Sequence, residues 1–241
     1  MVILRKTSKY NTGWRAEANF TINLHERDGE LLKLIQTYFG SIGVIRKVNN
    51  NCCSFSVTSI NHILMWIIPH FDKYSLITQK HSDYLLFREA VMMISRKEHL
   101  TDIGIQAILN IRATMNRGLT PVLIEAFPET VPVKRPLVPN HIIPHPQWVA
   151  GFTSGDGSFW VSLRNSSTNA SGGRATLTFV LTQHSRDKEL IETLVNYFGC
   201  GNCYTGKESV EFKCRTFKDI FKKILPFFSK YPIVGVKSLD F

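Results

Sequence analysis

A chain of 241 residues has room for one large domain or for two of about 100–120 residues, each able to bury a core. With 44% hydrophobic and 20% charged residues its composition is globular, and no apolar run approaches the roughly 18 residues of a helical membrane span. The net charge of +10 and pI near 9.5 point to a polyanionic partner, nucleic acid before acidic membrane, and five cysteines, an odd number, do not make a secreted disulfide framework.

The opening residues, "MVILRKTSKYNTGWRA", are basic and acid-free, as a mitochondrial presequence is, but 1–8 and 14–25 alternate apolar and polar as a hairpin does. Residues 28–39 have the spacing of an amphipathic helix, 42–48 and 52–58 that of a second hairpin, and 60–71, 82–95 and 101–116 that of three more helices. The stretch 121–146 holds seven of the ten prolines and is expected to be a linker without regular elements. It divides the chain into 1–120, a linker at 121–146, and 147–241.

The second part opens on "WVAGFTSGDGSF" (148–159), a helical pattern that runs into a strand. Trp148, Val149 and Phe152 can pack one side, while Ala150 with Ser154, and Gly151 with Gly155, put small residues at i, i+4 and so allow another backbone to come close. Asp156 falls near the helix C-terminus, where the carbonyl ends disfavour a carboxylate by roughly 0.3–1 kcal/mol, and it calls for a compensating partner. A hard divalent cation bound through carboxylate and carbonyl oxygens is one solution, and a plain Gly-Asp-Gly turn is the alternative. "CGNC" (200–203) has the spacing of half a zinc site, but a second close cysteine pair at finger-like spacing is missing.

The chain also repeats itself. "FTINLHERDGELLKLIQTYFG" (20–40) aligns with "FVLTQHSRDKELIETLVNYFG" (179–199) at an offset of 159, with His25 on His184 and Asp28 on Asp187. "PHFDKYSLITQK" (69–80) aligns with "PFFSKYPIVGVK" (226–237) at 157, a difference that one turn absorbs. Carried to the start, the offset pairs "MVILRK" with "WVSLRN", which makes the opening residues a strand and disfavours a presequence. Nothing in the first half matches 147–159, and nothing in the second matches 85–117.

With "VAGFTSGDG" (149–157), two similar halves and a basic surface, the sequence resembles a single-chain LAGLIDADG homing endonuclease of the fungal mitochondrial intron type. Ser154 departs from that pattern at its other acidic position. The resemblance implies an α+β fold of two pseudo-symmetric αββαββα halves with antiparallel, saddle-shaped sheets, the first motif helix being missing from this sequence. It implies Ala150, Gly151, Ser154 and Gly155 at a helix interface, Asp156 as a catalytic carboxylate, and Asp156 with Gly155 as oxygen ligands of Mg²⁺ or another divalent cation. A basic residue near the cleavage centre is also implied, and Lys213 is a candidate; its counterpart is Ser56.

A sheet with one face on helices and the other on DNA should alternate along each strand. Phe20, Ile22 and Leu24 then face the core, leaving Arg15, Glu17, Asn19, Thr21 and Asn23 outward, with Ile3, Arg5 and Thr7 outward on the first strand. In the second half Phe159, Val161 and Leu163 are expected inward. Ser158, Trp160, Ser162 and Arg164 are expected outward, followed by Arg174, Thr176, Thr178, Val180 and Thr182, with Ser56, Asn202, Tyr204, Glu211 and Arg215 from the second hairpins. Such ribbons fit the major groove, where Arg reads guanine, Asn reads adenine, and Thr or Val meets a thymine methyl. His25, His184 and "RKEHL" (96–100) read as turn, core or helix-end residues.

The expected activity is that of a Mg²⁺-dependent, site-specific double-stranded DNA endonuclease of intron homing, made in mitochondria and acting as a monomer with internal pseudo-two-fold symmetry. A maturase that holds folded intron RNA without cutting, and an inactive remnant, are the alternatives.

Overall fold

The computed structural model describes residues 1–138, 141–165 and 173–241. The chain forms two compact units, Met1–Val138 and Pro139–Phe241. No helix among the described residues is long and apolar enough to cross a membrane.

In the first unit, strands β1 (Val2–Lys6) and β2 (Trp14–Ala18) form an antiparallel pair, and β3 (Phe20–His25), β5 (Cys52–Val57) and β4 (Val44–Asn49) form a three-stranded sheet in that order. The strand expected over 14–25 is thus broken at Asn19, although Ala16, Ala18, Phe20, Ile22 and Leu24 keep one inward parity across the break. Helix α1 (Gly29–Tyr38) packs under the sheet through Leu32, and α2 runs over 60–73. Helices α3 (Lys80–Ser95) and α4 (Asp102–Thr114) complete the core, which holds Leu86, Ala90, Val91, Ile105, Ile108 and Leu109 at helical spacing.

The proline-rich segment contains a helix, α5 (Pro121–Ala126), contrary to expectation. Pro121 is its first residue, where the missing N–H has no intrahelical partner to lose and the fixed φ suits the helix. Residues 127–138 then lie on the first unit. Arg135 donates to a carboxylate oxygen of Asp83 (3.0 Å) and to the carbonyls of Thr114 (3.2 Å) and Gln79 (3.0 Å), and the Thr114 hydroxyl donates to the Val133 carbonyl (2.6 Å). Pro139 and residue 140 of the expected linker lie outside the described residues, as do residues 166–172.

The second unit opens on helix α6 (Pro146–Asp156), again with a proline in its first turn, and shows the αββαββα order. Strands β6 (Gly157–Asn165), β7 (Gly173–His184), β9 (Ser209–Cys214) and β8 (Asn202–Thr205) form one antiparallel sheet in that order. Helix α7 (Lys188–Phe198) and helix α8, over 217–230, bury Leu190, Leu194, Ile220 and Phe228 against Phe179, Leu181 and Phe212.

Two local features recur in both units. The turn entering the second hairpin needs left-handed backbone at Gly43 (φ 73°) and Gly201 (φ 76°), where a Cβ would come within 2.6 Å of the Ser56 carbonyl or 2.7 Å of the Phe212 ring. Helices α2 and α8 each carry a π turn, Ile63–Ile67 and Ile220–Ile224, just before Pro69 and Pro226. The wider turn takes up an extra residue where a proline ring, lacking an N–H, would otherwise clash with the preceding turn.

The second unit departs from strand alternation at one end. Val161 and Leu163, expected inward, are 62% and 80% exposed. Thr178 and Val180, expected outward, are 5% and 7% exposed, because β7 is a central strand with neighbours on both sides.

Candidate active site and nucleic-acid interface

Helix α6 delivers Asp156 at its last residue, exposed, immediately before β6. The carboxylate faces the negative end of the helix dipole, and two side chains offset that. Gln183, near the end of β7, donates through Nε2 to Asp156 Oδ2 at 2.6 Å and fixes the carboxylate's orientation. Lys237 Nζ donates to the Gly155 carbonyl at 2.9 Å and lies 3.4 Å from the Thr153 carbonyl, capping the helix end with an ammonium group. The ammonium group at this helix end is that of Lys237. The signal for Lys237 was in the repeat, which aligns it with Lys80; Gln183 stood inside the aligned stretch 179–199, opposite Leu24.

Lys213 lies on β9 opposite Val180 and Asn202, where its Nζ donates to Glu211 at 2.6 Å and sits 5.4 Å from the centre of the Tyr204 ring. The Gly155 carbonyl, expected as a metal ligand, accepts a hydrogen bond from Lys237, which uses one of its two lone pairs. With the exposed Asp156 carboxylate it gives this helix end two oxygen atoms of the kind a hard divalent cation takes. No cluster of three or more His, Cys, Asp or Glu side chains is present among the described residues. Cys200 meets Cys214 (Sγ–Sγ 4.0 Å), not a zinc partner, and burial pushes the Cys214 thiol up to about 12, away from the thiolate a metal needs.

The small residues of α6 divide. Ala150 is buried and Ser154 is engaged within its own unit, its hydroxyl donating to the Ala150 carbonyl (2.9 Å) and accepting from the Val234 amide (3.1 Å). Gly151 and Gly155 are exposed, and a Cβ on either would meet no atom within 4 Å.

The outward strand residues form rows across the second sheet. The register sets Arg164 opposite Arg174, Ser162 opposite Thr176, Trp160 opposite Thr178, and Ser158 in line with Val180, Lys213 and Asn202. Thr182, Glu211 and Tyr204 form the next row, nearest Asp156 in sequence register. A groove of about 850 Å³ opens among Trp160, Arg164, Arg174, Thr176 and Arg215, with three guanidinium groups on its walls. Thr178 contributes only a buried wall there.

In the first unit Arg5 and Arg15 flank Glu17 at 3.8 and 2.7 Å, which makes Glu17 an organiser of guanidinium groups. Thr21 donates to Asn19 Oδ1 at 2.9 Å, and Asn23 and Ser56 lie on the same face; Thr7 follows β1 in the turn and is half-buried. Sequence reasoning missed Arg46, exposed on β4 opposite Ser54 and in line with Asn23. Its signal was the alternation of 44–49.

Lys80, the counterpart of Lys237, has a different setting. Its Nζ donates to Asn116 Oδ1 at 3.3 Å and lies 3.8 Å from Asp83, whose other oxygen accepts from Arg135 and from the Asn116 amide.

The profile of the LAGLIDADG endonuclease family matches residues 1–91 and 149–241. Along its full length the chain is 38% identical to each of two Neurospora crassa proteins, "Probable intron-encoded endonuclease 2" and "Probable intron-encoded endonuclease 3", of which it covers 55% and 45%. The chain thus spans about half the length of these curated relatives. It also matches the crystal structure of the I-SmaMI LAGLIDADG homing endonuclease bound to cleaved DNA, at 42% identity and TM-score 0.97, covering 100% of this chain and 81% of that one. A second structure of I-SmaMI, bound to uncleaved DNA target in the presence of calcium ions, matches equally well.

Proposed function

The chain belongs to the LAGLIDADG endonuclease family, and from that premise we propose that it acts as a site-specific, Mg²⁺-dependent endonuclease on double-stranded DNA, cutting an intronless target as an agent of intron homing. One observation carries the proposal. Asp156 stands at the end of a helix, held by Gln183 and flanked by Lys237, in the unit whose sheet exposes Arg164, Arg174 and Arg215.

Each residue has a part that follows from its setting. Gln183 holds the carboxylate of Asp156 in one orientation, which avoids reorganisation when the phosphodiester arrives. Lys237 places a positive charge where a phosphate accumulates negative charge. A divalent cation bound to Asp156 supplies an activated water and charge stabilisation. Base contacts are assigned to Trp160, Ser162, Arg164, Arg174, Thr176 and Thr182 in the second unit, and to Arg5, Arg15, Asn19, Thr21, Asn23 and Arg46 in the first; Ser158, Asn202, Tyr204, Arg215 and Lys213 position phosphates. The fungal intron-encoded relatives, and a 42% identical match over 103 residues to a Podospora anserina protein in an ND4 intron, support synthesis in mitochondria.

A second reading is binding of intron RNA without cutting, for which the net charge of +10 is equally suited. The test offers the protein supercoiled DNA carrying its intronless insertion site with Mg²⁺. Cutting or nicking of that DNA, reduced at least about 100-fold by Asp156→Asn with affinity kept within about threefold, is expected. Tight intron-RNA binding with no cutting sinks the endonuclease reading.

A further inference from the structure

The first unit holds a cavity of about 370 Å³ beside β2, walled by Tyr10 and Arg15 of the β1–β2 hairpin, Asn61 of α2, and Ser95, Lys97 and His99 where α3 turns into α4. That turn is firmly held. The amides of Lys97, Leu100 and Thr101 donate to the carbonyls of Ile94 (3.0 Å), Lys97 (3.1 Å) and Glu98 (3.1 Å), and the Thr101 hydroxyl caps α4 by accepting from the Gly104 amide (3.1 Å). Gly104 lets helix and turn approach, since a Cβ there would lie 1.9 Å from the Glu98 carbonyl oxygen. Lys97 takes left-handed backbone (φ 62°), which glycine adopts more easily.

The walls carry more positive charge than the unit itself neutralises. Glu17, also on the wall, is shared by Arg5 (3.8 Å) and Arg15 (2.7 Å), and Glu98 is taken by Arg96 (2.6 Å). Lys97 is exposed, and among the described residues its ammonium group has no ion-pair partner. His99 keeps Nδ1 buried with no hydrogen-bond partner, a cost that a ligand oxygen relieves when that nitrogen carries the proton. Tyr10 and Asn61 add neutral donors. Surplus cations among donors suit an anion with several oxygens. Arg15 ties the cavity to the strand face, because it also stands in the outward row of β2, opposite Arg5 on β1. A duplex on that face brings its own anion, the sugar-phosphate backbone, to the cavity.

We infer that this cavity holds a backbone phosphate of the target DNA, with Lys97 as its cationic ligand and Arg15 and His99 as flanking donors. The inference rests on the DNA reading proposed above and adds a contact made outside the strands. Such a contact carries no base information and fixes the register of the duplex on the first unit.

The test measures affinity for a duplex of the intronless insertion site as a function of salt, without Mg²⁺ so that cutting plays no part. Lys97→Met makes the slope of log K against log salt shallower by about 0.9 and weakens binding about fivefold to tenfold near 0.1 M salt, by the same factor for target and scrambled duplexes. Lys97→Arg restores both, and Lys73→Met, at the end of α2 and outside the cavity, changes neither. Single methylphosphonate linkages then locate the contact: at one position the neutral linkage weakens the unaltered protein and leaves Lys97→Met unaffected. An unchanged slope, or no position at which the two losses overlap, overturns the inference and leaves the DNA reading standing. The changed slope with no cutting once Mg²⁺ is added upholds it while the endonuclease reading falls. Failure to bind the duplex at all overturns both, and a Lys97→Met effect confined to intron RNA overturns the inference by giving the cavity to that partner.

Discussion

Val2 and Leu4 in the first unit, and Val161 and Leu163 in the second, occupy equivalent places on equivalent strands, yet the first pair is buried and the second is not. The strands are alike; the difference lies in the α3 layer, which packs on β2 and shares its core with β1. Strand alternation therefore decides which way a side chain points, and burial is conferred by whatever element lies above it. The matched lysines teach a similar lesson. Lys237 caps the helix that ends in Asp156, whereas Lys80 sits among Asn116, Asp83 and the strap bearing Arg135.

The sharpest way to break this comparison is at the lysines. Lys237→Met should slow the Asp156-dependent cut by about 100-fold, the scale set by removing one charge from a phosphate site, and Lys80→Met should change that cut less than about threefold. Strand-resolved nicking assays read both, and equal losses would erase the functional distinction between the settings. Next in size is a stability contrast. Leu4→Ala should cost about 2–3 kcal/mol in urea unfolding, and Leu163→Ala less than about 0.5 kcal/mol, because only the first leaves a cavity.

The smallest effect is one of pH. Burial holds His70, His81 and His99, all in the first unit, below the ordinary histidine value of 6.5. The unfolded chain then takes up protons before the folded one, so their contribution to stability is intact above about 6.5 and declines as the pH falls through that value toward the folded-state pKa. Urea midpoints of the first unit, followed by Trp14 and Trp66 fluorescence with Trp148 and Trp160 replaced by Phe, should drop between pH 7 and pH 5. Replacing the three histidines with Gln should flatten that slope; an unchanged slope would show that other groups set it.

Much of the fold was legible because it is periodic and written twice. The amphipathic spacing of α1 and α7, the hairpins and the offset of 159 need only local pattern and self-comparison. The placement of Asp156 at the end of a glycine-punctuated helix was legible too. Its helpers were not. Gln183 meets Asp156 from 27 residues away and Lys237 meets the Gly155 carbonyl from 82, and no spacing rule encodes a contact between a strand end, a turn and a helix terminus. Lys213 looked a better candidate because it lies on a polar strand face, but Glu211 beside it takes its ammonium group. Helix α5 was hidden by counting prolines without asking where each would sit: the same residue that interrupts a helix interior starts one well.

The widened turns at Ile63–Ile67 and Ile220–Ile224 mark ancestry as well as geometry. An inserted residue followed by proline, at the same register in both units, is most simply inherited from one gene that already bore it before being copied and joined end to end. The irregularity thus orders events in time: insertion first, doubling second, and only afterwards the divergence of the two copies.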